Sequence, residues 1–160
     1  MATKTFLTFS IGEEIFGASV MEVQSILGMH KITCIPQSPH YMKGVINLRG
    51  LVLPVIDTRL KLGLPEIQQS PASSIIVVEI PFGDTQVDIG IIVDSVKEVL
   101  EVDENNLQDP PTIGAKYKTD YISALTNHNN TFIMLLNLNK LFSSDELSLY
   151  EQTTETEIEA

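Results

Sequence analysis

The sequence is poor in several residue types, and each shortage excludes a class of protein. It has one cysteine, Cys34, so no internal disulfide can form, which favours a reducing compartment. It has two arginines and a net charge of −11, not the basic excess that binding to nucleic acid or an anionic membrane surface requires. No apolar run approaches the ~20 residues of a spanning helix, and the N-terminus lacks a signal-peptide pattern. We therefore expect a cytoplasmic protein.

Residue types that catalyse reactions or bind metals are scattered along the chain. The three histidines are far apart, no metal-ligand spacing is present, and glycine-rich phosphate loops are missing. Cys34 stands in a short apolar stretch, which favours a buried, inert thiol. Asp57 and Asp94 each end an apolar strand and are interpreted as turn caps rather than as an acid–base pair. We expect no enzymatic activity, no metal and no cofactor.

The densest pattern runs from Gly44 to Leu60 and contains both arginines, Arg49 and Arg59. Two β-branched runs meet at Arg49-Gly50, where glycine permits the positive φ of a tight hairpin turn. On spacing alone, Arg49 is a solvated charge or a partner of Asp57; the competing interpretation is an interface anchor.

Alternating apolar residues predict a mainly β chain, with strands near 5–9, 15–18, 75–80 and 87–93 and a last hairpin at 121–138. Ser19, followed by apolar residues at helical spacing, predicts a helix over 20–27. Residues 95–100 fit either a helix or a strand. Short helices are expected after 57 and at 143–150, and residues 66–73 are the best candidate for a linker.

Two halves of the chain share a pattern. Gly17-x-x-Val20-x-x-Val23-x-x-Ile26-Leu27 matches Gly90-x-x-Val93-x-x-Val96-x-x-Val99-Leu100, and Val55-Ile56-Asp57 matches Leu135-Leu136-Asn137. We interpret this as one strand-rich unit used twice. The expected organisation is one domain over 1–150, with subdomains at about 5–66 and 72–140, and an acidic, disordered tail at 151–160. The two valine-rich stripes either line a groove between the halves or are wholly core.

The hairpin segment resembles a specific family. Gly44-Val45-Ile46-Asn47-Leu48-Arg49-Gly50, followed by Pro54-Val55-Ile56-Asp57-x-Arg59, is similar to the hallmark of the CheW coupling proteins of bacterial chemotaxis. Further likeness is found in Val23-Gln24, in Ile89-Gly90-Ile91-Ile92-Val93-Asp94-x-Val96 and in Leu136-Asn137-Leu138-Asn139-Lys140-Leu141. Together these segments extend the resemblance over about residues 5–150.

The resemblance implies two SH3-like, five-stranded β-barrels packed together, with short helices and no catalysis. Family members connect the cytoplasmic tips of methyl-accepting chemoreceptors to the histidine kinase CheA, and barrel-end contacts assemble receptor arrays. By this resemblance the chain is a monomer in isolation that joins membrane-receptor arrays without inserting into the membrane.

The resemblance also assigns site residues. The receptor-binding groove would comprise Val23, Ser25, Ile26, Leu27, Gly44, Arg49, Val93, Val96 and Val99. The kinase-binding residues would be Arg49 and Asp57.

Two positions depart from the family pattern, since Ser25 stands where many members have Glu and Asn137 where Asp is usual. Each change removes a carboxylate. An adaptor of another chemosensory pathway, such as surface motility, is therefore an alternative. A second alternative is a small-ligand-binding barrel in which Arg49 holds an anion.

Overall fold

Ten β-strands make up most of the chain in this computed structural model, which describes residues 2–65, 70–110 and 121–142. The predicted helix at 143–150, the tail at 151–160 and part of the 66–73 linker lie outside these ranges. The elements in chain order are β1 (Thr3–Ile11), β2 (Glu14–Ser19), β3 (Val23–Gly28), β4 (Met42–Leu48), β5 (Leu51–Asp57), α1 (Thr58–Lys61), β6 (Ser74–Phe82), β7 (Thr85–Val93), β8 (Ser95–Asp103), a 3₁₀ turn (Glu104–Asn106), β9 (Ile122–His128), β10 (Thr131–Leu136) and α2 (Leu138–Leu141).

The strands form two five-stranded sheets, which confirms the expected mainly β fold with short helices. Sheet A has the order β8-β1-β2-β10-β9, and sheet B has the order β3-β6-β7-β5-β4. Isolated bridges from Thr33 to Val45 in sheet B and from Gln108 to Leu125 in sheet A continue the pairing at the outer strands β4 and β9. Each sheet thus curls into a small SH3-like barrel, which protects strand edges from pairing with other chains.

The division into contiguous subdomains at 5–66 and 72–140 is wrong. Sheet A takes β1 and β2 from the first half of the chain and β8 to β10 from the second, whereas sheet B takes β3 to β7 from the middle. The physical reason is that β2 pairs in parallel with β10, and β5 with β7, so each half supplies strands to the other's sheet. A pattern along the chain identifies repeated units but not which strands pair with each other.

The two sheets are related by the repeat seen in the sequence. Replacing β1 to β5 by β6 to β10, and the reverse, converts the strand order of sheet A into that of sheet B. Gly17 lies opposite Leu135 in one parallel pair, and Gly90 lies opposite Val55 in the other. The amide of Asp57 donates to the carbonyl of Tyr41 at 2.9 Å, as that of Asn137 does to Tyr121 at 2.8 Å. The two halves therefore have equivalent folds, which supports a duplication.

The segment expected to be a helix at 20–27 contains strand β3 instead, and residues 95–103 form the equivalent strand β8. A register shift between Val23 and Ser25 marks a β-bulge in β3, and the same irregularity occurs in β8 opposite Leu7 and Phe9. The extra residue changes the spacing of side chains on one face from two to three, which imitates helical periodicity.

Three apolar clusters hold the fold together. The outer faces of both sheets contribute to one shared core, which contains Leu7, Phe9, Phe16, Ala18, Ile76, Val78, Ile89, Ile91 and Val93 among others. The interior of sheet B is filled by Ile46, Leu53, Val55, Ile75, Val77 and Ile92. The interior of sheet A is filled by Phe6, Val102, Ile133 and Leu135.

The predicted hairpin at Arg49-Gly50 is confirmed. The φ angles are +56° at Arg49 and +84° at Gly50, and Leu48 pairs with Leu51, as in a two-residue type I′ turn. The carbonyl of the Asn47 side chain accepts a hydrogen bond from the Gly50 amide at 2.9 Å. This turn holds the Arg49 backbone in one conformation at the tip of the hairpin.

Two carboxylates face each other across β6 and β7. Glu79 and Asp88 are cross-strand partners, and the side-chain amide of Gln24 donates to both. Burial raises the pKa of Asp88, and the neighbouring charge of Glu79 raises it further. The charged form of Asp88 is therefore disfavoured in the folded protein.

We predict that Asp88→Asn stabilises the protein at neutral pH by roughly 0.2–1 kcal/mol, the usual size of a cross-strand pair interaction. A raised pKa means that the folded state holds the proton more tightly, so stability falls as pH rises through the folded pKa. The gain should vanish below the ordinary pKa of 3.8. Urea denaturation at neutral and acidic pH measures it, with Asp84→Asn in the adjoining turn as the control. A gain that is independent of pH would contradict this explanation.

The equivalent glycines Gly17 and Gly90 are predicted to differ in their tolerance of a methyl group. A Cβ at Gly90 would lie 2.9 Å from Cγ2 of Ile75, whose branched Cβ makes χ1 stiff. At Gly17 the Cβ would lie 2.9 Å from Cδ2 of Leu135, an atom at the end of a side chain that is not branched at Cβ. We expect Gly90→Ala to cost about 1–3 kcal/mol, and Gly17→Ala less. Gly28→Ala is the control, because nothing lies within 4 Å of that position. Equal midpoints for all three variants in urea denaturation would contradict the close packing at Gly90.

Candidate functional site

The outer strands β3 and β8 carry matching apolar side chains at the border of the shared core. On β3, Ile26 lies opposite the core residue Ile76; on β8, Val99 lies opposite the core residue Leu7. Because cross-strand partners project from the same face of a sheet, Ile26 and Val99 both face the layer between the sheets. Their positions are equivalent in the repeat.

These side chains are exposed to different extents. Val23 and Val96 are half-buried against the shared core. Ile26 is 48% exposed and Val99 is 61% exposed, although both continue the apolar face of the core. We call Val23, Ile26, Val96 and Val99 the rim. Apolar side chains that extend a packed core to the surface are typical of protein-interaction sites.

Three of the nine groove residues implied by the resemblance have structural roles that explain their identity. Val93 is fully buried in the shared core, and Leu27 packs against the interior cluster of sheet B. Gly44 has φ +147°, and a Cβ there would lie 2.1 Å from the carbonyl oxygen of Thr33, so only glycine fits. The expectation that the Val93 side chain contacts a receptor is corrected, because that side chain is fully buried. The receptor-contact assignments of Leu27 and Gly44 stay predictions. Ser25 is half-buried on the opposite face of β3, beside Val77.

Arg49 is exposed at the tip of the β4–β5 hairpin, on the other outer strand of sheet B from β3. Its neighbour Leu51 is 50% exposed. Arg49 and Leu51 place a guanidinium and an apolar side chain two residues apart at a turn of fixed backbone, and arginine is enriched among the residues that dominate interface binding energy.

Asp57 lies at the opposite end of β5 from Arg49, so it is not its ion-pair partner. It is fully buried, and its carboxylate accepts a hydrogen bond from the Arg59 amide at 3.0 Å, which caps α1. The interpretation of Asp57 as a cap is confirmed for α1. The expected kinase-binding role is wrong for this side chain, because no part of it reaches the surface.

Asp94 forms a contact that the sequence analysis missed. Its Oδ2 accepts hydrogen bonds from the Gly12 amide at 2.7 Å and from Nη1 of Arg59 at 2.9 Å. We call Gly12, Arg59 and Asp94 the Asp94 cluster. One sequence signal could have pointed to the cluster, namely that Arg59 is one of only two arginines. That Asp94 alone separates two long strands became visible only in the structure.

We next consider metal-ligating side chains, the sheet interiors and the surface cleft within the described ranges. Residues 2–65, 70–110 and 121–142 contain no group of three or more His, Cys, Asp or Glu side chains placed to hold a metal. Packed side chains fill both sheet interiors. A cleft of about 710 Å³ at the β2–β3 connection is lined by Met21 and Asn139 among others, but not by Arg49. Cys34 is exposed, which corrects the expectation of a buried thiol.

Comparisons with known proteins agree with this architecture. The profile of the CheW-like domain matches residues 5–146. The chain belongs to the CheW-like domain family. The chemotaxis protein CheW of Klebsiella aerogenes is 32% identical over 151 residues, covering 94% of this chain and 89% of that protein. The probable chemotaxis protein CheW of Rhizobium etli is 33% identical over 143 residues, covering 89% of this chain and 90% of that protein.

A solved CheW structure has the same fold. The crystal structure of the scaffolding protein TtCheW from Thermoanaerobacter tengcongensis matches with a TM-score of 0.81 and 31% identity, covering 92% of this chain and 94% of that one. The family and this neighbour therefore support a scaffolding role in chemotaxis for the CheW-like chain. Neither short α-helix in the described ranges is long or apolar enough to cross a membrane.

Proposed function

We propose that this CheW-like chain is a non-catalytic adaptor that couples methyl-accepting chemoreceptors to the histidine kinase CheA. The observation that carries the proposal is the rim, where Ile26 and Val99 extend the shared core to the surface at equivalent positions. Membership of the CheW-like domain family gives this surface its context.

The rim is suited to a helical partner. Val23 and Val96 are half-buried against the shared core, and Ile26 and Val99 are exposed on the same faces of β3 and β8. An amphipathic helix, such as the tip of a chemoreceptor, binds a surface of this kind through apolar residues spaced three or four apart. Ser25 carries an uncharged hydroxyl group, and its side chain faces away from the rim. The β3 side of this contact would therefore be mainly apolar.

The β4–β5 turn provides a second contact surface. Arg49 presents its fork of donors there beside the exposed Leu51. The regulatory domain of CheA is the proposed partner of this hairpin, with the polar margin of the receptor tip as a further ligand for Arg49. Two modest surfaces on one small protein are sufficient for array assembly, because simultaneous binding raises the effective affinity of each contact.

We predict that Ile26→Glu and Val99→Glu each weaken binding of a chemoreceptor cytoplasmic fragment about tenfold or more, since bringing an unpaired charge into an apolar contact costs over ~1.4 kcal/mol. Both side chains are about half exposed, so the variants should fold. Phe132→Glu is the matched control, because Phe132 is 53% exposed on β10 and lies outside the shared core that the rim borders.

Binding is measured by co-sedimentation with the receptor fragment, and folding by circular dichroism. Folded Glu variants that bind as well as Phe132→Glu would exclude the rim from the receptor site.

We predict that Arg49→Ala reduces recruitment of CheA to the receptor fragment about tenfold or more. The reason is that arginine is enriched among the few residues that supply most of the binding energy of an interface. Arg49→Lys should restore little, since an ammonium lacks the planar fork of donors. Lys140→Ala, which removes an exposed positive charge on α2, serves as the control. Full recruitment by folded Arg49→Ala would remove this residue from both contact surfaces.

The same surfaces would serve an adaptor of another chemosensory pathway. Affinity capture of the chain from its native host, followed by identification of the bound kinase, distinguishes the two pathways.

A further inference from the structure

The chain passes from sheet B to sheet A through a single residue. Strand β7 ends at Val93 and β8 begins at Ser95, so Asp94 alone connects them. Its amide donates to the carbonyl of Ser10 at 3.0 Å, and the hydroxyls of Ser10 and Ser95 are 2.7 Å apart. The start of β8 is thus held against β1 at the point where the chain leaves sheet B.

The Asp94 side chain connects the two sheets a second time. It accepts from the amide of Gly12, in the β1–β2 turn of sheet A, and from the guanidinium of Arg59, in α1 after β5 of sheet B. Arg59 is itself oriented by the carbonyl of Pro65, which accepts from Nε at 2.9 Å. The Arg59 and Asp94 side chains are 21% and 27% exposed, so water and salt screen this charge-assisted contact only partly.

The repeat supplies an internal comparison. At the equivalent connection, from β2 to β3, Met21 occupies the position of Asp94, and Asn139 that of Arg59. Met21 is 88% exposed and therefore makes no comparable connection. Only one of the two equivalent connections is held by a charged cluster.

The connection at Asp94 leads directly into β8, which carries the rim residues Val96 and Val99. Val96 is two residues beyond Asp94, opposite Phe9, and Val99 is opposite Leu7. We propose that Asp94 is a positioning residue, which through Gly12 and Arg59 holds sheet A and the β8 part of the rim at one orientation relative to sheet B. The binding consequence rests on the proposed function, whereas the orientation itself does not.

Spin-label distances test the orientation directly. Cys34 is the native cysteine, exposed on the segment that bridges to β4 of sheet B, and Thr131→Cys supplies an exposed site on β10 of sheet A. Pulsed electron-paramagnetic resonance between the two labels should give a broader distance distribution in Asp94→Ala than in the parent. Asp84→Ala removes an exposed turn carboxylate and should leave the distribution unchanged.

Conservative variants keep the test decisive if Asp94→Ala fails to fold. Asp94→Asn retains an acceptor for the Gly12 amide but loses the ion pair. Arg59→Lys retains the positive charge but loses the planar guanidinium with its several N–H donors. Both should broaden the distribution less than alanine does. A distribution as narrow as the parent's in every folded variant would overturn the proposal.

Binding separates positioning from general stability. Asp94→Asn should weaken the receptor fragment's binding at least about fivefold, the lower end of typical couplings between distinct sites. Its affinity for the isolated CheA regulatory domain, proposed to bind the Arg49 turn, should not change. A broadened distribution with unchanged receptor affinity would overturn the predicted effect on receptor binding, while it would support the role of Asp94 in holding the orientation of the sheets. If the parent protein does not bind the receptor fragment, the proposed function fails, and the distance measurement alone decides the orientation.

Discussion

The apolar layer between the two sheets is the constraint on which the rest of the structure depends. Each sheet has an inner face around its own small cluster and an outer face in the shared core. Barrels of this size bury little apolar surface on their own, so packing them together supplies much of the missing burial. The reciprocal parallel pairs, β2 with β10 and β5 with β7, make this layer inseparable from the sheets, because neither half of the chain completes a sheet alone.

The shared layer also explains the position of the rim, which is the proposed interaction surface. Strands β3 and β8 are the outermost strands on one side of each sheet, so their side chains form the border of the layer, where packing partners end. The bulges rotate successive side chains, so that Val23 and Ile26, like Val96 and Val99, point to the same face three residues apart. The border is thus apolar for the same reason as the core, and it is exposed because no further strand within residues 2–65, 70–110 and 121–142 covers it.

The two copies of the repeat differ more in charge than in fold. Arg49, Asp57 and Arg59 in the first copy correspond to Asn129, Asn137 and Asn139 in the second. The second copy retains the turn geometry and the helix cap of the first. Asn129 has φ +53° in its turn, and Asn137 caps α2 by accepting a hydrogen bond from the Lys140 amide. Asparagine satisfies the same turn and cap geometry without a charge. The charges of the first copy therefore make possible the ion pair of Arg59 with Asp94 between the sheets and the contact that we propose for Arg49.

The sequence by itself determined most of the strands, the repeat, the tight turn at Arg49-Gly50 and the family, because alternation, turn residues and motifs are local signals. It did not determine which strands pair, and its valine-rich stripes imitated helices because a bulge changes the period of a strand from two to three. Only the tertiary structure decided that Asp57 and Val93 are buried while Ile26 and Val99 reach the surface. Burial depends on which distant segments cover a residue, and Asp94 meets Gly12 and Arg59 only after both sheets have formed.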